Sequence, residues 1–190
     1  MQPTRWIRCA LAALAAGVIC APAFAAGGTV PAVWVPRQVQ FVYRGFTTRY
    51  SCGGLHDEIV RLLTRLGARD LKVREEGCVY GNGRPEPFPG VSVSMRVLIP
   101  ATRAAAGAAR VGARWHKVVL ASGGGYRQGG QCELVAEFRR VFLPVFAARA
   151  IDLQAPCVPY EVNPGTYLSA EVLEPAQARA EPHQSLHRSR

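Results

Sequence analysis

The sequence predicts an α+β fold, in which two helices pack on an antiparallel or mixed sheet built from two similar β-α-β-β units and closed by disulfides. Two segments have the apolar spacing of amphipathic helices, and segments of alternating apolar and polar residues flank each of them. A cysteine stands at the start of each helix, and another follows the next strand. The expected boundaries are a signal peptide over 1–25, a loose lead-in over 26–37, one domain over 38–175 (units 38–100 and 114–175, linker 101–113) and a disordered tail over 176–190.

Residues 1–25 have the pattern of a secretory signal peptide. Arg5 and Arg8 precede an apolar run, and the small-x-small rule places cleavage near Ala25. The run is shorter than the roughly 20 apolar residues that a spanning helix needs, which disfavours a retained anchor. A lipoprotein acylated at Cys20 is a further, disfavoured alternative. We therefore expect a periplasmic or secreted protein without a membrane span in its mature chain.

The net charge of the chain indicates which kinds of partner it could bind. The net charge is +10, and it falls to +8 when Arg5 and Arg8 leave with the signal peptide. A basic domain is typical of nucleic-acid binding, but export argues against a nucleic-acid partner. We expect an unknown envelope component instead, which is a protein, a glycan or an anionic lipid. A solvated arginine surface without a partner is the alternative.

The first unit contains the strongest helix pattern of the chain. Alternation over residues 38–46 predicts a strand, and Ser51 is placed to cap a helix that ends near Gly67. Further strands are expected over 71–77 and 91–99. The apolar residues of the helix fall on one face, and they are Leu55, Ile59, Leu62, Leu63 and Leu66.

The second unit has weaker patterns in the same order. Residues 115–120 predict a strand, and residues 132–143 predict a helix that ends before Pro144. Shorter alternations over 151–153 and 168–172 predict two more strands. Its expected buried helix residues are Leu134, Val135, Phe138, Val141 and Phe142.

Offsets counted from Cys52 and from Cys132 support an internal repeat. Apolar residues recur at offsets 3, 10, 14, 19 and 21, and the next cysteines, Cys78 and Cys157, fall at offsets 26 and 25. A helix of about 14 residues rises roughly 21 Å, and the return strand covers a similar distance. The spacing therefore favours the pairs Cys52–Cys78 and Cys132–Cys157, with crossed pairing between the units as the alternative.

One arrangement permits reactive chemistry. Cys52 stands at a helix start with His56 one turn later, and Cys78 could serve as a resolving thiol. The second unit keeps the cysteine spacing but has Ala136 at the offset of His56, which favours a structural disulfide. No C-x-x-C occurs, so neither a metal site nor a cofactor is predicted, and no catalytic residue is assigned.

Aromatic and basic residues interleave from Phe41 to Tyr50. Arg44, Arg49 and Tyr50 are accordingly the candidate ligand-facing residues. The alternative is that the aromatic side chains pack in the core and the arginines are solvated.

The run Phe41-Val42-Tyr43-Arg44-Gly45-Phe46-Thr47-Thr48-Arg49-Tyr50-Ser51-Cys52, followed by Gly54-Leu55, resembles a group of small exported proteobacterial proteins of unknown function. Cys132-Glu133-Leu134, Leu143-Pro144-Val145-Phe146 and Cys157-Val158-Pro159 are similar to the same group. The resemblance implies an envelope protein and brings no activity, cofactor or site residue. We expect an exported periplasmic, non-catalytic binding or accessory protein of the cell envelope. A thiol-dependent enzyme or redox factor that uses Cys52 with Cys78 is the alternative.

Overall fold

The computed structural model describes residues 28–45, 49–80, 83–105, 107–122, 129–154 and 166–176. Six strands and two α-helices occur in these residues, with a single turn of 3-10 helix after β3 (Ala101–Arg103) and another after α2 (Leu143–Val145). The elements are β1 (Val30–Val42), α1 (Cys52–Arg65), β2 (Arg69–Glu76), β3 (Gly90–Pro100), β4 (Arg110–Ser122), α2 (Gly129–Val141), β5 (Arg149–Gln154) and β6 (Thr166–Pro175).

The strands form one antiparallel sheet in the order β2-β3-β1-β4-β6-β5. Both helices pack on one face of it. Phe41 of β1 lies on that face and contacts Phe142, directly after α2, with ring centroids 5.5 Å apart. On the same face α1 buries its apolar stripe completely, with Leu55 and Ile59 at 0% exposure. The predicted α+β class, with two helices on a sheet, is confirmed.

The two units are related by a pseudo-two-fold axis. Exchanging β1 with β4, β2 with β5 and β3 with β6 reverses the strand order and leaves the sheet unchanged. The axis passes through the pair Pro31–Gly112, because the flanking pairs Val30–Ala113 and Ala32–Val111 exchange with each other. The predicted pair of similar β-α-β-β units is therefore present in the fold.

Both units carry the same backbone irregularity. Asp70 in β2 and Ala150 in β5 each lie 18 residues after the first cysteine of their unit, Cys52 or Cys132. Their φ angles are +51° and +49°, in the left-handed region that favours glycine. In both units the strand pairing shifts register at this point, which identifies a matching β-bulge. The similarity of the two units thus includes the backbone φ angle at equivalent residues.

An arginine stacks on a tryptophan beside each bulge. The guanidinium carbon of Arg69 lies 4.9 Å from the ring centroid of Trp34, and that of Arg149 lies 4.0 Å from the ring centroid of Trp115. These rings lie on the sheet face opposite the helices, which we call the open face. Each stacked cation there is worth about 0.5–1 kcal/mol.

Helix α1 begins and ends as its sequence predicts. Ser51 is the N-cap, and its Oγ accepts a hydrogen bond from the amide of Gly54 at 3.1 Å. Gly67 follows the helix with φ +82°, which removes the Cβ clash that other residues would meet there. The N-cap and the apolar stripe therefore define the same helix. Cys52 is its first residue, and β2 begins shortly after Gly67.

Two predicted irregular segments are partly strand. The lead-in expected up to residue 37 is already β1 from Val30 onward. The linker expected over 101–113 ends at Arg110, where β4 begins. Pro31 and Gly112 lie in the segments predicted as lead-in and linker, yet they pair at the centre of the sheet, where the contact between the units overrides local preference.

Some predictions fall outside the described residues. They are the signal peptide over 1–25, the tail beyond residue 176 and the position of Cys157. Among the helices that the structure describes, none is long and apolar enough to cross a bilayer.

Candidate binding face

The predicted disulfide of the first unit is present. Cys52 and Cys78 are bonded to each other, with their Cα atoms 6.0 Å apart. Cys132 is disulfide-bonded as well, and its partner lies outside the described residues, so the pairing with Cys157 stays a prediction. In this oxidised state Cys52 offers no thiolate, and His56 instead holds its Nδ1 2.9 Å from Asp57 Oδ1.

The same disulfide accounts for a cluster of potential metal ligands. Ligand atoms of Cys52, Glu75 and Cys78 lie within 4.8 Å of one another. The two sulfur atoms are already bonded to each other, however, and a zinc site needs thiolates. Only the Glu75 carboxylate would remain, and one monodentate ligand does not hold a metal ion. We assign no metal to this cluster.

Tyr43 is buried and packs against the half-buried Tyr50. The Tyr43 hydroxyl donates a hydrogen bond to Glu133 Oε2 at 3.1 Å, and its ring meets that of Tyr50 edge-on with centroids 5.0 Å apart. Burial, followed by the nearby Glu133 carboxylate, raises the pKa of Tyr43 far above its ordinary value. Burial also raises the pKa of Tyr50 to about 12. Both phenols stay protonated at neutral pH, and their contacts favour a packing role.

The other two candidate residues are placed differently from Tyr50. Arg44 and Arg49 are exposed, on either side of the short segment that leads from β1 to α1. The backbone amide of Arg44 lies 3.5 Å from Glu137 Oε2 on α2, while its side chain is in solvent. The structure therefore places Arg44 and Arg49 on the surface and packs the third candidate, Tyr50, against Tyr43.

A polar trough crosses the open face of the first unit. It has a volume of about 710 Å³ and is bounded by strands β1, β2 and β3. Its polar side chains are Gln38, Gln40, Lys72, Arg74, Glu76, Ser92 and Ser94. None of these residues is among the predicted site residues, although their alternation with apolar neighbours is visible in the sequence.

Strand register organises the trough into rows. Gln38, Ser94 and Lys72 are directly opposite one another on the three strands, and Gln40, Ser92 and Arg74 form the next row. Each row thus presents an amide, a hydroxyl and a cation. Adjacent strands are about 4.8 Å apart, so the outer strands of a row are about 9.6 Å apart, and a ligand that reaches all three groups spans about that width.

The first unit carries a positive open face. Arg69, Lys72, Arg74 and Arg96 stand there against the carboxylates of Asp70 and Glu76, which leaves two positive charges in excess. Asp70 approaches Arg96 at 3.5 Å and is mostly exposed. Within the trough itself, Lys72 and Arg74 stand against Glu76, which leaves one positive charge in excess.

The second unit has a neutral open face on the same scaffold, because Lys117 and Arg149 stand there against Asp152 and Glu171. Asp152 stands at the offset of Lys72, and Glu171 pairs with Arg149 where Arg96 pairs with Arg69. Arg149 Nε lies 2.7 Å from Glu171 Oε2 and is neutralised by it. The two units therefore share a backbone design but differ in the charge they present.

Comparison of the chain with protein-family models, with curated proteins and with solved structures finds no match. The assignment of a site rests on the geometry of the described residues alone.

Proposed function

We propose that the protein is an exported, non-catalytic binding protein of the cell envelope, and that the trough of the first unit binds an acidic glycan. The observation that carries the proposal is the pair of amide–hydroxyl–cation rows formed by β1, β3 and β2. Amides and hydroxyls exchange hydrogen bonds with sugar hydroxyls, and Lys72 and Arg74 form charge-assisted bonds to carboxylates or phosphates.

The composition of the trough favours a glycan over a lipid tail or a folded protein. Val39 and Val93 are the only apolar residues in its described lining. The trough therefore offers little apolar surface to an acyl chain. It also lacks the aromatic anchors that dominate protein interfaces.

A non-catalytic role is supported by the placement of the titratable groups. His56 contacts Asp57 on the exposed surface of α1, and the side chain of His116 is about half exposed, 4.0 Å from Glu174. Neither histidine lines the trough. In this oxidised state the disulfide of Cys52 with Cys78 also leaves no free Cys52 thiol to act as a nucleophile.

Export is supported by two features. The pattern of residues 1–25 is that of a signal peptide, and the Cys52–Cys78 disulfide fits an oxidising compartment such as the periplasm. The resemblance to small exported proteobacterial proteins points the same way.

Calorimetric titration of the oxidised chain from residue 26 onward with polygalacturonate, and with neutral dextran, tests the proposal. We expect binding to polygalacturonate only. The double variant Lys72→Gln/Arg74→Gln should weaken it roughly tenfold, because two exposed charge-assisted contacts are lost. The control Arg139→Gln/Arg140→Gln removes two exposed charges from α2, on the helix side, and should change affinity less than twofold.

Equal loss in both double variants would show that the ligand responds to net charge and not to the trough. Binding of dextran as tight as that of polygalacturonate would exclude the cationic rows as the basis of recognition.

A further inference from the structure

Large exposed apolar side chains gather at one end of the first unit. The exposed fractions are 43% for Val42, 74% for Val79, 59% for Tyr80 and 62% for Phe88. Ile151, on β5 in the other unit, is the remaining exposed large hydrophobic residue of the described chain. We call the first four the apolar patch.

Backbone contacts bring the members of the patch together. Val42 is paired with Gly90 at the start of β3, two residues after Phe88. The carboxylate of Glu86 accepts hydrogen bonds from the amides of Val79 at 3.1 Å and of Tyr80 at 2.8 Å. The patch is therefore one surface, formed where β1 ends, β2 ends and β3 begins.

The loop that carries the patch is held in place from three sides. Cys78 ties its start to α1 through the disulfide. Glu86, at 1% exposure, anchors it internally, and the Glu86 amide donates to the Tyr50 carbonyl at 2.9 Å. The Tyr43 amide donates to the Pro89 carbonyl at 2.9 Å at the other end. The described loop residues on either side of positions 81–82 are thus held by these bonds, while their apolar side chains are exposed to water, which is unfavourable.

Cationic side chains surround the patch. Arg44 lies two residues after Val42, Arg49 precedes the Tyr50 carbonyl that holds the loop, and Arg84 lies in the loop itself. All three are exposed. The loop's own carboxylate, Glu86, is buried, and it accepts hydrogen bonds from the amides of Val79 and Tyr80. Glu75 and Glu76 are the nearest acidic pair on β2, beside the disulfide.

We propose that the apolar patch docks on an anionic phospholipid bilayer, with Tyr80 and Phe88 entering the interface and the flanking arginines binding lipid phosphates. Tyrosine is suited to this depth because its ring is apolar and its hydroxyl polar. Guanidinium groups bind phosphates in a bidentate manner. Reversible attachment to a membrane needs two such signals, apolar and basic, and this end of the unit supplies both.

The shape of the patch favours a bilayer over a protein partner. Its side chains are individually 43–74% exposed, so each projects into solvent instead of lining a pocket with its neighbours. Protein interfaces are built around desolvated pockets that match an anchor residue. A fluid interface needs no such match. The patch uses none of the trough residues, so this proposal is independent of the glycan proposal.

Sedimentation with unilamellar vesicles tests it on the oxidised chain from residue 26 onward. We expect the protein to pellet with vesicles of 30% phosphatidylglycerol in phosphatidylethanolamine, to remain in the supernatant with pure phosphatidylcholine, and to dissociate as salt is raised. The variant Tyr80→Ser/Phe88→Ser should reduce the partition coefficient about tenfold or more. Both side chains are mostly exposed, so unchanged thermal unfolding should confirm that the variant folds.

Ile151→Ser is the matched control, because it removes an exposed aliphatic side chain from the other unit and should leave partitioning unchanged. A wild-type protein that does not pellet with the anionic vesicles overturns the proposal, as does a loop variant that pellets like the wild type. Equal partitioning into phosphatidylcholine overturns the part assigned to the arginines. Crosslinking of a single envelope protein at Tyr80, with no vesicle binding, assigns the patch to a protein partner and also overturns it.

Discussion

Ala150→Gly is expected to stabilise the protein, although glycine usually weakens a strand. Ala150 has a φ of +49° at the bulge of β5, where an L-residue places its Cβ too close to the backbone. That conformation costs about 1–2 kcal/mol, and glycine removes the cost. Its methyl group is exposed, so no core packing is lost.

The opposing term is the greater freedom of glycine in the unfolded chain, which costs about 0.5–1 kcal/mol. The expected net gain in the free energy of unfolding is therefore between about 0 and about 1.5 kcal/mol, centred at about 0.75 kcal/mol. Asp70, at the equivalent bulge, should gain less when changed to glycine. Aspartate tolerates the left-handed region better than alanine, and the substitution would also remove the carboxylate that lies 3.5 Å from Arg96.

Urea denaturation followed by far-ultraviolet circular dichroism, with linear extrapolation to water, measures the change. Ala148→Gly, two residues earlier and at a negative φ, is the control and should lower the free energy of unfolding by about 0.5–1 kcal/mol. If Ala150→Gly destabilises the protein as much as Ala148→Gly does, the left-handed geometry is not a source of strain and the reasoning fails.

Three further measurements follow from the described contacts. Replacing Cys52 and Cys78 by alanine should lower the free energy of unfolding by about 3.5 kcal/mol, the loop-entropy value for a separation of 26 residues; a loss below about 1 kcal/mol would contradict that account. Tyr43→Phe should cost about 1.5–3 kcal/mol in the same assay, since it removes a hydrogen bond to the Glu133 carboxylate, and an unchanged midpoint would dismiss the bond as a stabiliser. The tyrosine pKa values are raised in the fold, for Tyr50 from 10.0 to about 12, so the stability they contribute is complete below pH 10 and is lost as the pH rises towards 12. A pH series of denaturation midpoints should show this decline, and Tyr43→Phe should flatten it.

Helix α1 and its disulfide could be predicted because local signals agree there. The Ser51 cap, the apolar stripe from Leu55 onward and the glycine at position 67 each indicate the same helix. The similar lengths of the helix and of its return strand predict that Cys78 lies beside Cys52, as observed. Nothing in that region depends on knowing how distant strands pair.

The central strands were harder to predict because their start depends on the partner unit. Pro31 and Gly112 have low strand propensity, and only their mutual pairing places them in a sheet. One signal could have revealed them. The pattern V-x-A-x-W occurs from Val30 to Trp34 and again from Val111 to Trp115, which marks equivalent strand starts.

The trough on the open face could not be predicted from the sequence for a different reason. The alternation that exposes Gln38, Gln40, Ser92 and Ser94 is visible in the sequence, but the strand order that sets β2 beside β3 is not. Lys72 therefore could not be joined to those residues in advance. Nor could the bulges, since a left-handed alanine such as Ala150 has no local sequence signature.

The pseudo-two-fold axis makes the chain equivalent to a homodimer whose subunits have been fused. Four residue pairs join β1 to β4, against eleven between β1 and β3, so each half would expose a strand edge if it stood alone. In a real homodimer every substitution appears on both sides of the axis. Fusion removes that constraint. The first unit can therefore carry the cationic trough and the apolar patch, while the second unit has the same backbone fold without them.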